Sequence, residues 1–207
     1  MPDAAPAHIG YALSQCATRE ATCVPIRNSD CPPAPHAFWR SANRTRSYPG
    51  SVLDLSSLDL EDIANALADQ TDYEHHWLIN PETGEIVFWT ADTGIDGQTP
   101  VDLDELDLIG INPLPSYIWY QDMAEFADTI TDERAGRRLA RAIQGRGAFR
   151  RFKDELNEEY PGLLPAWYAF RDARAIRRAV EWLADNSLID DEAAERFLAS
   201  HPDPQLP

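Results

Sequence analysis

The chain has 207 residues, 43% of them hydrophobic, and its 35 acidic and 18 basic side chains give a formal charge of -17. This composition is typical of a soluble globular protein, and it excludes one that coats nucleic acid or an anionic membrane with its whole surface. No apolar run reaches the roughly 20 residues of a membrane-spanning helix, and the first residues lack the basic and apolar parts of a signal peptide, so we expect a cytoplasmic protein without a membrane partner.

Residues 1–50 are predicted to be a disordered extension, because they contain seven prolines and no sustained helical or strand period. All three cysteines, Cys16, Cys23 and Cys31, lie in this segment. Their odd number argues against a disulfide framework, and their spacing lacks the Cys-x2-Cys pair of most structural zinc sites. A zinc site completed by a nearby histidine is the alternative, but the prediction is no metal and no cofactor.

The rest of the chain is predicted to form one domain over residues 51–200, followed by a flexible tail over 201–207. Asp59 is placed to cap a first helix whose apolar residues Leu60, Ile63, Ala64 and Leu67 follow a helical period. Two aromatic and β-branched runs, 73–80 and 85–90, flank a cluster of turn-forming residues and predict a β-hairpin. Residues 106–111 predict a shorter third strand.

From residue 116 onward the pattern is helical. Ser116 is predicted to cap a helix with Tyr117, Tyr120, Met123, Ala124, Ala127 and Ile130 on its apolar face. Asp132 opens the next helix, Gly145 and Gly147 separate it from a third that contains Phe149 and Phe152, and a long helix over about 164–186 has Tyr168 inward. A short helix over about 190–200 follows. The predicted fold class is α+β: a small antiparallel sheet built on the β-hairpin, packed with a C-terminal array of helices.

Charge is sorted along this domain. Residues 51–133 carry 20 acidic side chains and no Lys or Arg, whereas residues 134–178 carry 12 basic and 5 acidic ones. On the helix opened by Asp132, the four arginines 134, 137, 138 and 141 fall within one arc of about 100°. The segment 134–153 is therefore locally basic in an acidic protein.

Three motifs carry a family resemblance. They are G-R-G-A-F-R-R-F-K at 145–153, W-Y-A-F-R-D at 167–172 and the W-L pair at 182–183, with the turn E-T-G-E at 82–85 and the 123–126 helix upstream. This set resembles the bacterial uncharacterised protein family 0158 of the UPF series over roughly residues 57–187. The family pattern does not include the cysteine-containing N-terminal segment. The resemblance implies a domain boundary and an α+β fold, but no reaction.

The first motif has two interpretations. In the functional one, two glycines, a helix N-terminus and forked guanidinium donors form a site for an anion such as phosphate. In the structural one, which we favour, the glycines cap helices, Phe149 and Phe152 belong to the core, and the arginines pair with the upstream carboxylates. The candidate binding residues are Arg137, Arg138, Arg141, Gly145, Arg146, Gly147, Phe149, Arg150, Arg151, Lys153, Trp167, Arg171 and Asp172. No catalytic residue is assigned.

Two kinds of titratable residue are candidates for chemistry. Asp172 falls on the inward arc of the long helix, so we expect a partly buried carboxylate paired with Arg150 or Arg151, with a catalytic acid as the alternative. His75 and His76 lie on a predicted strand, one facing in and one out, and no neighbouring Ser, Cys or Asp forms a recognisable nucleophile arrangement with them.

The leading functional hypothesis is a non-enzymatic cytoplasmic binding or regulatory protein that contacts another protein through its acidic hairpin region or its Arg-rich helices. The first alternative is a nucleic-acid-binding regulator that uses residues 134–153, which resemble a helix-turn-helix. A second is an acidic DNA mimic that uses residues 51–133, and a third is an enzyme with a site at the junction of hairpin and helices.

Overall fold

The computed structural model describes residues 52–71 and 75–207. Contacts along the chain divide it into residues 1–44 and 45–207, and every described residue belongs to the second unit. The predicted N-terminal extension and its three cysteines lie outside the described residues. None of the helices in the described part is both long enough and apolar enough to cross a membrane.

The N-terminal half of the domain is a helix packed on a small sheet. Asp59 accepts hydrogen bonds from the N–H groups of Glu61 and Asp62 and thereby caps α1 (Leu60–Ala68), which confirms the predicted cap. Strands β1 (His75–Ile79), β2 (Ile86–Thr90) and β3 (Ile109–Ile111) form an antiparallel sheet in the order β2-β1-β3. The hairpin and the third strand were both predicted.

Five helices follow the sheet: α2 (Ser116–Thr129), α3 (Glu133–Ala142), α4 (Ala148–Glu158), α5 (Leu164–Asp185) and α6 (Asp191–Ser200). The predicted α+β class with a C-terminal helical array is therefore confirmed. The predicted cap of α2 is wrong, because Ser116 is already the first helical residue and Pro115 occupies the cap position without a side-chain hydrogen bond.

The buried side chains form two clusters that share α5. One cluster joins α1, the sheet, α6 and the second half of α5, with Leu67, Ile79 and Leu183 fully buried. The other joins α2, α3, α4 and the first half of α5 around Phe126 and Phe152. With 22 residues, α5 is about 33 Å long, so one helix reaches both clusters.

Four aromatic residues that were predicted to face the core are exposed instead: Tyr117, Tyr120, Phe149 and Tyr168. Each follows the helical period of its apolar neighbours but lies at the edge of the buried arc rather than at its centre. The centre is filled by Phe126, Phe152, Trp167 and Phe170, whose rings contact one another at centroid distances of 4.8 to 6.3 Å. Period alone does not define how wide the buried arc is.

Residues 201–207 lie against the helices, whereas the prediction was a flexible tail. Leu206 packs on the second cluster, and the carbonyl of Pro207 accepts a hydrogen bond from the N–H of Thr131 at 2.7 Å. Asp203 lies 2.7 Å from the guanidinium of Arg174. The segment is polar and rich in proline, so its sequence carries no helical or strand period that would indicate these contacts.

Candidate functional site

The turn between α3 and α4 has the backbone conformation that its glycines were predicted to provide. Gly145 and Gly147 have φ values of +77° and +74°, in the left-handed region that side chains with a Cβ rarely adopt. Gly147 occupies the N-cap position of α4, and no side chain caps that helix. The motif therefore holds a five-residue turn, 143–147, between two helices.

Arg151 holds this turn closed. Its guanidinium donates to the carbonyl of Ala142 at 2.9 Å and to the carbonyls of Gln144 and Arg146. Ala142 is the last residue of α3, where helices leave backbone acceptors without partners, whereas Gln144 and Arg146 lie in the turn itself. Arg151 was predicted as a binding residue, but its donors are engaged by the protein's own backbone.

Three other arginines of the segment pair with carboxylates. Arg138 links α3 to α4 through Glu155 at 2.6 Å and Glu159 at 3.3 Å. Arg137 pairs with Glu133 at 3.0 Å and Arg150 with Asp154 at 3.6 Å, each one turn away on its own helix. Only Glu133 belongs to the acidic segment 51–133. The expectation that this segment neutralises the arginines is therefore wrong for Arg138 and Arg150, whose partners lie on α4 or at its end.

The remaining basic residues of the segment are exposed: Arg134, Arg141, Arg146 and Lys153. None of these four forms an ion pair with another residue in 52–71 or 75–207. Residues 134–153 contain eight basic side chains and no acidic one. We refer to the exposed members, Arg134, Arg137, Arg141, Arg146, Arg150 and Lys153, as the basic surface.

The aromatic residues of the motifs divide between surface and core. Phe149, predicted as core in the structural interpretation, is 42% exposed in the first turn of α4. Trp167, predicted as a binding residue, is buried. Its ring centroid lies 4.8 Å from that of Phe152 and 5.2 Å from that of Phe126. A residue in that position stabilises the core and is not available to a partner.

Asp172 is not buried, contrary to prediction. Its side chain is 60% exposed and accepts from its neighbour Arg171 at 2.8 Å, not from Arg150 or Arg151. Arg171 lies over the ring of Tyr168, 5.0 Å from its centroid. These three groups form an exposed cluster on α5, and the burial on which the catalytic alternative depended is absent.

The buried carboxylate of the domain is Asp122 on α2. It is 2% exposed and receives two hydrogen bonds from Arg178 of α5, at 2.8 and 2.5 Å, in the bidentate geometry that favours Arg over Lys. Arg178 also lies over the ring of Trp119 at 4.9 Å. The sequence does indicate that Asp122 is buried, because it lies next to Met123 and four residues before Phe126, on the apolar side of α2.

Two further arginines of α5 are also paired within the domain. Arg174 contacts Glu125 of α2 and lies 2.7 Å from Asp203 of the tail. Arg177 donates to the carbonyl of His201 at 3.0 Å and lies 3.7 Å from Asp203. We refer to Arg174, Arg177 and Arg178 as the α5 belt. The belt joins α5 to α2 and to the C-terminal residues.

His75 has an acidic partner that the sequence did not indicate. Its Nε2 lies 2.9 Å from Asp69, whose carboxylate also accepts from Trp77 at 2.8 Å and from both the N–H and the hydroxyl of Thr71. These bonds, led by that of the Thr71 hydroxyl, hold the pKa of Asp69 well below its usual range. Asp69 ends α1 and is six residues from His75, so only the tertiary fold brings them together.

This arrangement differs from a hydrolytic triad. The hydroxyl of Thr71 lies 3.4 Å from the same Nε2 that contacts Asp69. A relay from hydroxyl to imidazole to carboxylate uses the two opposite ring nitrogens. His75 is half-buried and stacks on Phe88 with 4.7 Å between the ring centroids, whereas His76 is exposed, as strand alternation predicted. The cluster therefore fastens the end of α1 to the sheet.

A groove of about 680 Å³ runs between α2 and α3. Its floor is made of small and apolar residues, among them Ala127 and Gly136, and its rim carries Glu125, Asp128 and Arg137. A Cβ at Gly136 would lie 2.5 Å from the carbonyl oxygen of Ala127. The absence of a side chain at Gly136 therefore allows α3 to approach α2 this closely. A smaller cleft of about 320 Å³ lies between the start of α1 and the hairpin turn.

Neither cavity is lined by Asp172 or His75, the two residues on which an enzymatic site was predicted to depend. Within 52–71 and 75–207, no three His, Cys, Asp or Glu side chains are grouped so that they would hold a metal ion.

Comparison with known proteins identifies the family. A family model described as "Uncharacterised protein family (UPF0158)" matches residues 55–199. The chain belongs to UPF0158. A UPF0158 protein of Pseudomonas aeruginosa is 30% identical over 135 residues, which cover 64% of this chain and 84% of the relative. The predicted family is thus confirmed. No solved structure matches the chain.

The UPF0158 match includes all three strands and nearly all of the helical array. The turn held by Arg151, the basic surface and the pair of Asp122 and Arg178 lie inside residues 55–199, whereas Asp203 lies beyond them. Within this UPF0158 domain, the basic surface combines exposed charge with donors that other described residues leave largely unused. That combination suits the binding of a polyanion.

Proposed function

We propose that this UPF0158 protein is a non-enzymatic binding protein that holds nucleic acid on its basic surface. The observation that supports the proposal is the exposure of Arg134, Arg141, Arg146 and Lys153 without a carboxylate partner among the described residues. Guanidinium groups in water bind phosphate oxygens with forked hydrogen bonds, and those already paired with carboxylates are less available.

The acidic remainder of the protein restricts how nucleic acid binds. With a net charge of -17, most of the surface repels a phosphate backbone, so contact is confined to residues 134–153 and their neighbours. Each phosphate that a basic side chain neutralises contributes about -0.9 to the slope of log affinity against log salt on duplex DNA. With six side chains on the basic surface, the affinity is expected to fall steeply with salt.

The turn between α3 and α4 holds the backbone that carries these charges in a fixed arrangement. Arg151 fastens the turn to the end of α3, and Arg138 fastens α3 to Glu155 of α4. Two helices joined by a glycine turn also form the helix-turn-helix units that bind DNA, although those turns are usually three to four residues long. Because this backbone is already ordered, it loses little conformational freedom on binding.

The proposal is tested by fluorescence anisotropy of labelled duplex and single-stranded DNA, titrated with the full chain at several salt concentrations. We expect Arg141→Ala to weaken binding severalfold and to reduce the salt slope by about one unit. The matched control is Arg196→Ala, which removes one exposed charge on α6 and is expected to leave binding unchanged. Affinity that is insensitive to salt and to Arg141→Ala contradicts the proposal.

A protein partner is the second candidate, supported by the groove between α2 and α3. The groove has an apolar floor, and its rim is negative overall because it carries Glu125, Asp128 and Glu133 beside the single cation Arg137. This chemistry suits a partner helix with a ridge of small apolar residues flanked by Lys or Arg. We expect Ala140→Trp, which fills the groove from the exposed side of α3, to abolish crosslinking to such a partner in the native cell and to leave DNA binding intact.

DNA mimicry by the acidic segment has no comparable support. Several of its aspartates accept N–H hydrogen bonds from their own turns and so act as local caps: Asp54, Asp59, Asp69, Asp96, Asp102 and Asp132. A mimic requires carboxylates in paired rows that follow the two phosphate strands. Caps spread over six separate turns stabilise the fold instead.

A further inference from the structure

The exposed Phe149 is the one large apolar side chain within the basic segment that the core does not use. It is 42% exposed, whereas Phe152, one turn later on α4, is fully buried. Phe126, Phe152 and Trp167 already fill the core beside α4 with ring contacts. The fold therefore leaves the Phe149 ring in water, next in sequence to the exposed Arg150.

The ring stands on a backbone that is held in place. Gly147 and Ala148 precede it, and the guanidinium of Arg151 donates to the carbonyl of Ala142 at the end of α3 and to two carbonyls of the turn. Arg146 lies in the turn three residues before Phe149, and Arg150 directly follows it with 88% of its side chain exposed. The pair of Arg150 with Asp154 is exposed and 3.6 Å long, so it is weak and a phosphate can replace the carboxylate. An exposed aromatic ring close in sequence to exposed cationic side chains is a combination by which proteins bind unpaired bases and their phosphates.

Base accessibility distinguishes the possible nucleic acids. In a duplex both faces of each base are covered by its neighbours, so an aromatic ring reaches a base face only where the duplex is first unstacked, at a cost in free energy. In a single strand a base face is free to stack on a side chain, and every base has such a face. The ring of Phe149 has no polar atom, so it selects for a free base face and not for a base sequence.

We propose that the ligand of the basic surface is single-stranded nucleic acid, with one base stacked on Phe149 and the flanking phosphates on Arg146 and Arg150. This inference rests on the proposed nucleic-acid function and specifies its substrate class. Loss of one stacked base typically weakens single-strand binding by about tenfold or more. Loss of one phosphate contact weakens it less and changes the salt slope.

The test compares the full chain with its Phe149→Leu and Phe149→Trp variants. Anisotropy is measured with labelled oligothymidylate and with a duplex of the same length at one salt concentration and across a salt series. We expect tighter binding to the single strand, a loss of about tenfold in Phe149→Leu with an unchanged salt slope, and full affinity in Phe149→Trp. Tyr168→Leu, which removes another exposed ring, is the control and is expected to bind like the wild type.

A second readout locates the base directly. Oligothymidylate that carries one 5-bromouracil is irradiated in complex with the protein, and we expect the crosslinked peptide to contain Phe149. The inference is overturned if the duplex binds as tightly as the single strand, or if Phe149→Leu binds normally while Arg141→Ala binds weakly; in both cases the proposed function survives. If the wild type binds neither DNA, the proposed function itself fails.

Discussion

The two arginine clusters of this domain use the same side chain in opposite ways. In the α5 belt, Arg174, Arg177 and Arg178 are directed at carboxylates of α2 and of the C-terminal residues, and Arg178 is 15% exposed. In the basic surface, Arg141 and Arg146 are exposed and form no ion pair within the described residues. The difference lies in the facing element: α2 and the C-terminal residues present acids to α5, whereas solvent faces the outer side of α3.

Carboxylates of residues 51–133 do neutralise arginines within this domain. The arginines concerned are mainly those of α5, and not those of residues 134–153, where the sequence predicted the pairing. The acidic residues 122 and 125 neutralise arginines of α5, and six other aspartates of residues 51–133 cap turns. The segment 134–153 keeps most of its charge for solvent or a partner. Variants at four places in the domain compare structural side chains with exposed ones, and the expected effects on stability decrease from the buried pair to the exposed surface.

The largest effect is expected from Arg178→Ala. It leaves the carboxylate of Asp122, which is 2% exposed, without its two hydrogen bonds, and an unpaired buried charge costs about 3–5 kcal/mol. Urea unfolding followed by circular dichroism measures this as a lower midpoint. The double variant Asp122→Leu with Arg178→Met removes both charges and is expected to recover most of the loss. A stability within about 0.5 kcal/mol of wild type for Arg178→Ala shows that the pair is not buried in solution.

Arg151→Ala is expected to have the next largest effect. It removes the donors to the carbonyl at the end of α3 and to two carbonyls of the turn, and because the group is exposed we expect a loss of about 1–2 kcal/mol. Arg151→Lys should restore little of this, since one ammonium group cannot reach three carbonyls in the geometry of a guanidinium. Thermal unfolding of both variants against the wild type measures the effect. Full rescue by lysine contradicts the assigned geometry.

Asp69 is expected to make the free energy of unfolding depend on pH in the acid range. Its pKa is depressed in the folded state below the ordinary value of 3.8, so its bonds stabilise the fold fully above that value. The contribution is lost as the pH falls through 3.8 toward the lower folded-state pKa. In Asp69→Asn, the free energy of unfolding should change less over this range, with Thr71→Val intermediate. Identical acid unfolding of all three proteins is the contrary result.

The smallest effect on stability is expected at the basic surface. Arg141→Ala and Arg146→Ala remove exposed side chains without ion pairs among the described residues, so each should change the free energy of unfolding by less than about 0.5 kcal/mol. Urea unfolding of the single variants beside Arg178→Ala measures the contrast directly. A loss of more than about 1 kcal/mol in either variant would show that these side chains have structural partners after all.

Features set by local sequence were predicted well. The caps at Asp59 and Asp132, the hairpin and the left-handed glycines of the turn depend on neighbouring residues, whose preferences the sequence displays directly. Sequence also indicated that residues 134–141 form a basic helical face. These features defined the fold class and drew attention to the segment that carries the candidate site.

Features that depend on which elements face each other were not predicted. Asp172 and Asp122 both occupy positions beside apolar residues of amphipathic helices, and only the packing of α5 on α2 buries the second and leaves the first in water. The contact of His75 with Asp69 likewise requires β1 to return past the end of α1. The exposure of Phe149 follows from a core already filled by other rings.

The most direct test of the account is the salt dependence of DNA binding by the wild type and Arg141→Ala, with Arg196→Ala beside them. The account predicts that affinity falls steeply with salt, that Arg141→Ala binds more weakly with a slope smaller by about one unit, and that Arg196→Ala matches the wild type. Equal affinity and equal slope for all three proteins would contradict the account, because the exposed arginines of α3 would then have no part in binding.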